Sequence, residues 1–178
     1  MNPSPTHVPR EDLPPGTLET DAVTVRTLEP RDLDAIVRID KEWTGRNRKN
    51  YYELKLAEAA RDTGVRISLV AELDHVRGDD PDHRVAGFLL GRLYFGEFGH
   101  VERTALLDSI GVAREFSGRR VADALMRQLR MNLAALHIEK VETQVDWDQF
   151  ELLRFFAHEG FAPARRICLE LAVTRPTE

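Results

Sequence analysis

The stretch that decides the fold is LLDSIGVAREFSGRRVADAL, Leu106–Leu125. Its first residues form an apolar run typical of a β-strand, whereas its last residues repeat apolar side chains at helical spacing. A turn through Ser117 and Gly118 joins the two runs. A strand, a turn of small residues and a helix start together form a cradle for phosphate, because free backbone N–H groups and the positive helix end converge there. The stretch therefore predicts an anion site at this turn.

The composition indicates a soluble globular protein. The 178 residues suffice for one domain with a core, and 42% hydrophobic with 31% charged residues are ordinary values. A formal net charge of -5 gives no basic surplus for the phosphates of DNA or RNA, so no nucleic-acid partner is expected. Cys168 is the only cysteine, which excludes an internal disulfide, and the scattered histidines give no metal site.

Targeting signals are not evident. The sequence has no run of about 18 apolar residues and no basic segment followed by an apolar one at its N-terminus, so we expect a cytoplasmic protein with no membrane partner. Residues 1–20 are proline-rich and aperiodic, which predicts a flexible tail. Residues 21–178 are expected to form a single domain.

Strand and helix patterns follow one another along this domain. Strands are predicted at 22–28, 65–72, 84–95, 105–112, 140–147 and 165–173, and helices at 30–43, 51–61, 118–136 and 148–160. Asp148 and Glu151 predict a capping box at the last helix, and Gly160 its end. Trp147, Phe150, Phe155 and Phe161 are expected in the core around it. The order β-α-α-β-β-β-α-β-α-β indicates an α+β fold of mixed α/β three-layer type, with a twisted, mostly antiparallel sheet and helices on both faces.

Two stretches resemble the GCN5-related N-acetyltransferase (GNAT) family, with a resemblance that spans about residues 23–173. The family signature, Gln/Arg-x-x-Gly-x-Gly/Ala, falls on SGRRVA, residues 117–122, where Arg120 replaces the central glycine. LLDSIGV resembles the family's fourth strand. DWDQFELLRFFAHEGF, residues 146–161, resembles its last helix, with Phe156 in place of a tyrosine that often acts as general acid.

The resemblance implies an N-acetyltransferase that uses acetyl-CoA or a related acyl-CoA to acylate a primary amine of a small molecule or a protein. It implies these cofactor-binding residues: Ile110, Gly111, Val112, Ser117, Gly118, Arg119, Arg120, Val121, Ala122, Gln149 and Phe156. The two arginines have open readings. Their guanidinium groups can bind the pyrophosphate, the Arg120 side chain can crowd it, or both side chains can be solvated surface groups.

Acetyl transfer to an amine requires a general base, and Asp108 is the first candidate for it. On a regular strand Asp108 shares a face with Leu106, Ile110 and Val112, which predicts a partly buried carboxylate. The alternative is a structural ion pair with a neighbouring arginine. The basic loop GRNRK, Gly45–Lys49, is expected to be an exposed linker, although this region often lines the acceptor site in the family.

Three functional hypotheses remain open at the level of sequence. The first is the acetyltransferase, and the second is a non-catalytic acyl-CoA-binding regulatory module that has lost the acid and the regular glycine turn. In the third, the fold binds no CoA. The final predicted strand can also pair or exchange with a second copy, which leaves a homodimer open.

Overall fold

The computed structural model describes residues 23–61, 67–73, 84–94 and 103–172. The predicted tail, residues 1–20, lies outside them. Two compact units are distinguished, the first reaching Glu142 and the second beginning at Thr143, and the single domain over residues 21–178 stays a prediction. Among the described residues, no helix is long and apolar enough to cross a membrane.

The first unit contains a five-stranded sheet, except for the last residue of its fifth strand, Thr143, which begins the second unit. Its strands are β1 Val23–Thr27, β2 Leu69–Leu73, β3 Val85–Tyr94, β4 Thr104–Val112 and β5 Lys140–Thr143. Their spatial order follows their order in the chain, and β1 to β4 are antiparallel neighbours. The predicted mostly antiparallel sheet is therefore confirmed, although β5 ends four residues earlier than expected.

The helices of this unit follow the predicted periodicities. A 3₁₀ turn at Pro30–Asp32 leads into α1, Leu33–Thr44; α2 spans Lys49–Arg61 and α3 spans Val121–Ala135. α1 ends at Gly45, whose φ of 68° suits a glycine. The apolar stripe of α3 is buried as predicted, at Val121, Leu125, Leu129 and Leu133. Burial of one apolar stripe per helix holds these elements on the sheet.

Neighbouring residues of β3 show that helices cover both sheet faces. A Cβ built on Gly87 would lie 2.8 Å from Val121 Cγ1 in α3. Phe88 faces the other way, since its ring lies 5.7 Å from the ring centre of Tyr52 in α2. A Cβ built on Gly111 would meet this Phe88 ring at 2.7 Å and Ile39 of α1 at 3.3 Å. The predicted three-layer arrangement is confirmed: α3 packs on one face, and α1 and α2 pack on the other.

The second unit contains helix α4, Phe150–His158. The predicted capping box at Asp148 is wrong: the N–H of Gln149 donates to the Asp146 carbonyl at 3.0 Å, so a turn occupies these residues and Gln149 becomes the N-cap. The predicted end at Gly160 is confirmed by its φ of 82°. Phe161 then folds back, and its ring centre lies 4.9 Å from that of Phe156.

Two expectations for the second unit are wrong. Residues 165–172 form no strand. Alternating apolar residues predict a strand, but a strand forms only when a neighbour pairs with its backbone, and alternation does not supply that neighbour. Trp147 and Phe150 were expected in the core, yet they are 82% and 65% exposed.

The close packing of Gly87 against Val121 and Gly111 leads us to predict the effect of a substitution on stability. Replacing Gly87 with alanine would bring the new methyl group to 2.8 Å from Val121 and 2.9 Å from the Gly111 carbonyl oxygen, which is backbone and cannot move away. We expect Gly87→Ala to lower the free energy of unfolding by about 3 kcal/mol. Urea denaturation followed by circular dichroism measures this change.

Gly45→Ala is the matched control, because Gly45 has a positive φ and no neighbour within 4 Å of the methyl group that alanine would add. Its cost should be limited to the left-handed backbone, about 1 kcal/mol. Equal losses in both variants would contradict the packing explanation.

Candidate active site

A β-bulge interrupts the pairing of β3 with β4. Leu90 pairs with Ser109, but the next residue, Gly91, pairs with Leu107, so Asp108 has no partner on β3. The regular strand expected around Asp108 is therefore wrong at this residue. A bulge bends its strand and re-aims the side chains beside it.

One hydroxyl group, next to β2, satisfies the backbone of β3 beside the bulge. Ser68, which is buried just before β2, donates to the Gly91 carbonyl oxygen at 3.1 Å and accepts from the Gly91 N–H at 3.2 Å. Both backbone groups of Gly91 are thus satisfied inside the core. A Cβ at Gly91 would lie 3.1 Å from the Leu106 carbonyl oxygen, which is backbone, so this close arrangement favours glycine.

Asp108 lies between two cations. Its Oδ2 atom is 3.6 Å from Arg92 Nε and 3.7 Å from Lys55 Nζ. The ion pair expected as the alternative role of Asp108 is therefore present, with a lysine as well as an arginine. The three side chains border a cavity of about 30 Å³, which also meets Glu58. This space is sufficient for a water molecule beside the carboxylate.

A partly buried polar network joins α1 to the start of α2. Arg48 Nε donates to Asp40 Oδ2 at 2.8 Å, and a second bond joins Arg48 Nη2 to Asp40 Oδ1. The hydroxyl of fully buried Tyr52 interacts with Asp40 and with Ser109 of β4. Gly45, Arg46, Asn47 and Lys49 are exposed, as expected for this loop, whereas the half-buried Arg48 has a structural role through its bonds to Asp40. Burial raises the pKa of the Tyr52 hydroxyl, and the Asp40 charge raises it further.

The end of β4 is fixed by side chains of α1. Trp43 Nε1 donates to the Val112 carbonyl oxygen at 2.7 Å, and Glu42 Oε2 accepts from the Arg114 N–H at 2.9 Å. The Arg114 guanidinium lies 4.7 Å from the Trp43 ring centre. On the other side, the Ala113 N–H donates to the Ala86 carbonyl at 2.8 Å. These contacts define where the chain leaves the sheet toward α3.

The predicted anion cradle lies at the start of α3. Gly118 has a φ of 78° and open space around it, and Arg120 holds a left-handed conformation with a φ of 60°. Arg120 is the N-cap of α3, and its side chain forms no capping hydrogen bond. The first three N–H groups of α3 therefore have no intrahelical acceptor. Arg119 and Arg120 are exposed, and they outnumber the one acidic side chain of the first turn, Asp123.

The sequence matches a known protein family. The model of the Acetyltransferase (GNAT) family matches residues 33–161. The chain belongs to the GNAT family. No curated protein matches the sequence.

Solved structures of similar fold agree with the family match. A transcriptional regulator from Bacillus halodurans C-125 is 18% identical with a TM-score of 0.66, over 85% of this chain and 100% of that one. An aminoglycoside N-acetyltransferase in complex with CoA is 14% identical with a TM-score of 0.66, over 85% and 95%. A ribosomal-protein-alanine N-acetyltransferase from Brucella melitensis biovar Abortus 2308 is 17% identical with a TM-score of 0.62, over 86% and 100%. At these identities the likeness shows a shared fold.

The site residues expected from the GNAT resemblance differ in their exposure and in the unit to which they belong. Ile110 and Val112 are half-exposed on β4, and Ser117, Gly118, Arg119 and Arg120 are exposed. Gly111 and buried Val121 have packing roles, against Phe88 and at Gly87, and Ala122 is half-exposed in the first turn of α3. Gln149 and Phe156 belong to the second unit, where Gln149 is exposed and Phe156 is 4% exposed between Phe155 and Phe161.

Several residues that shape the GNAT site were missed by sequence analysis. They are Ser68 at the bulge, Asp40 behind it and Glu42 at the end of β4. Their partners lie between 12 and 72 positions away in the sequence for the pairs Asp40–Tyr52, Ser68–Gly91 and Glu42–Arg114. A residue's local pattern does not reveal contacts of such range.

The buried hydroxyl of Tyr52 leads us to predict how the stability of the fold depends on pH. Because its pKa is raised in the folded state, Tyr52 stabilises the fold fully below about pH 10, the ordinary tyrosine value, and this contribution is lost as pH rises through the raised pKa. Absorbance at 295 nm should show a difference between wild type and Tyr52→Phe only above the ordinary tyrosine range, together with unfolding.

Tyr51→Phe is the control for this titration, because Tyr51 is the neighbouring tyrosine in α2 and is only half-buried. Loss of one ionising group near pH 10 in Tyr52→Phe would contradict the raised pKa.

Proposed function

We propose that this GNAT protein is an acetyl-CoA-dependent N-acetyltransferase that acts on a primary amine of a small molecule or a protein. Acetyl-CoA is the co-substrate that family membership implies, and it supplies the activated acetyl group. The observation that carries the proposal is the uncapped start of α3 beside two exposed arginines, at the end of a bulged β4. A cytoplasmic location belongs to the same proposal, since a single cysteine gives no internal disulfide.

The residues at the start of α3 fit an anionic group. The open backbone at Gly118 allows close approach, and the free N–H groups of the first helical turn donate toward one point. Arg119 and Arg120 add positive charge that can form charge-assisted bonds to a pyrophosphate. The left-handed backbone of Arg120 reproduces the conformation that a glycine adopts readily, so the turn is kept although the glycine is replaced.

Asp108 is proposed as the general base. An amine reaches the enzyme as an ammonium ion and must lose a proton before it attacks a carbonyl carbon. The Asp108 carboxylate is 14% exposed beside a small cavity, and the contacts with Lys55 and Arg92 orient it. It can therefore accept the proton at Oδ, directly or through one water molecule.

The alternative is a non-catalytic acyl-CoA-binding regulatory module. Phe156 favours it, because the side chain is buried, carries no hydroxyl group and contacts other phenylalanines. A residue of this kind cannot protonate a leaving thiolate. The module would bind CoA thioesters and acetylate no amine in a broad panel, whereas the enzyme needs only water for this protonation.

Binding of acetyl-CoA is the first test, made by isothermal titration calorimetry. We expect micromolar affinity for the wild type and an affinity about tenfold or more lower for Arg119→Ala/Arg120→Ala, because two charge-assisted contacts are lost. Arg127→Ala/Arg130→Ala removes the same charge from exposed positions further along α3 and should leave the affinity within about twofold.

Absence of binding at high micromolar acetyl-CoA would contradict both the enzyme hypothesis and the binding-module hypothesis. The protein would then have the GNAT fold without a function that uses CoA. Equal affinity in both double variants would instead show that the backbone alone holds the anion.

Asp108→Asn tests the base. We expect the rate of amine acetylation to fall about a hundredfold or more, with the affinity for acetyl-CoA nearly unchanged, because general-base catalysis contributes that much. Steady-state release of free CoA thiol measures the rate, and calorimetry measures the affinity.

Glu58→Gln is the matched control, since Glu58 borders the same cavity. An unchanged rate in Asp108→Asn would remove Asp108 as the base. A matching loss of thermal stability would assign the effect to the broken ion pairs instead.

A further inference from the structure

Lys55 of α2 places a primary amine beside Asp108, the carboxylate proposed as the general base. Its Nζ atom lies 3.7 Å from Asp108 Oδ2 and 3.2 Å from Glu58 Oε2. The Lys55 side chain is only 20% exposed, and Nζ lies 5.9 Å from the ring centre of Tyr51. Two carboxylates and an aromatic ring thus hold this ammonium group in the site.

The two cations beside Asp108 differ in whether they can be acylated. Arg92 Nε lies 3.6 Å from Asp108 Oδ2, but a guanidinium group keeps its protons in a protein and has no lone pair to offer. A lysine ammonium group can lose one proton and then becomes a nucleophile. Lysine is scarce in this chain, where 25 basic residues include only Lys41, Lys49, Lys55 and Lys140. Lys55 is the lysine that lies beside Asp108.

We propose that Lys55 is itself an acetyl acceptor, so that the chain transfers the acetyl group of acetyl-CoA to its own Lys55 Nζ. The inference rests on the proposed function, because it requires a bound thioester and a base at Asp108. A general base must lie within hydrogen-bonding distance of the acceptor amine, directly or through one water molecule. The 3.7 Å between Lys55 Nζ and Asp108 exceeds a direct hydrogen bond, and the cavity of about 30 Å³ that both residues border has room for that water.

The transfer balances in atoms and charge. The Lys55 ammonium group passes one proton to the Asp108 carboxylate through the bridging water, and the Nζ lone pair attacks the thioester carbonyl carbon. A C–N bond forms, the C–S bond breaks, and CoA leaves as a thiolate. The nitrogen gives up a second proton, which reaches the thiolate through water, and Asp108 then releases its proton to solvent. The products are Nε-acetyllysine, the CoA thiol and one proton.

Acetylation of Lys55 would change the surroundings of the base. The amide carries no charge, so Asp108 would keep Arg92 as its cationic neighbour, and the ion pair of Lys55 with Glu58 would be lost. The acetyl group would also occupy the space beside Asp108 that an external amine needs. Because Lys55 offers a single nitrogen, the reaction should end at one acetyl group for each chain.

Peptide mapping by mass spectrometry tests the acceptor. Wild-type protein incubated with acetyl-CoA and no added amine should gain one acetyl group, on Lys55. A deuterated acetyl group separates this label from any acetyl group present beforehand. Lys49 is the internal control, because it begins the same helix and also pairs with a carboxylate, Asp34, at 3.0 Å. The Lys49 side chain is 45% exposed, so spontaneous acetylation favours Lys49, whereas transfer in the site should favour Lys55 about tenfold or more.

Variants separate catalysed transfer from spontaneous acetylation. Asp108→Asn should slow the labelling of Lys55 about a hundredfold or more and leave that of Lys49 unchanged, because only Lys55 uses the base. Lys55→Arg keeps the positive charge and should remove the label, whereas Lys49→Arg should leave Lys55 labelled. The rate for each chain should not change when the protein is diluted about tenfold, because the amine and the base belong to the same chain. Circular dichroism verifies that each variant is folded.

The outcomes distinguish this inference from the proposed function. A Lys55 without any acetyl group, in protein that binds acetyl-CoA, would overturn the inference, and the proposed function would still stand if an amine of the panel is acetylated. Equal labelling of Lys49 and Lys55, or labelling of Lys55 unaffected by Asp108→Asn, would also overturn it. Absence of acetyl-CoA binding by calorimetry would contradict the proposed function and this inference together.

Discussion

The candidate active site depends on a register shift of one residue between β3 and β4. Because Leu90 pairs with Ser109 and Gly91 with Leu107, the backbone at Asp108 has no partner across the pair. The bulge directs Asp108 toward Lys55 and Arg92 and leaves Ser109 beside Tyr52. Its cost in the core is offset by Ser68, which bonds both backbone groups of Gly91. A regular ladder would satisfy the same backbone groups, but it would not bring these side chains together.

The position of the proposed anion site at the start of α3 depends on two glycines outside its own turn, Gly87 and Gly111. Gly87 allows Val121 to sit against β3, and Gly111 allows β4 to pass Phe88 and Ile39. These contacts fix the first turn of α3 relative to the end of β4, so the free N–H groups are preorganised without a side-chain cap. Preorganised donors bind an anion without the cost of ordering them at that moment. Trp43 and Glu42 add a second constraint from the opposite face of the sheet.

The candidate site residues are distributed over both compact units of the chain. The first unit contains the bulge, the ion pairs of Asp108 and the start of α3. The second unit contains Gln149 and Phe156 and, among the described residues, most of the exposed large apolar side chains.

The sequence by itself determined the fold class, the strand and helix order up to α4, and the position of the turn at Ser117 and Gly118. These follow from local periodicity and from glycines in left-handed positions, both of which act over a few residues. It did not determine the bulge at Asp108, the network of Asp40, Arg48 and Tyr52, or the absence of a strand over residues 165–172. Each of these depends on which distant segment lies alongside, and pairing register and burial are settled only when the sheet and its helices assemble.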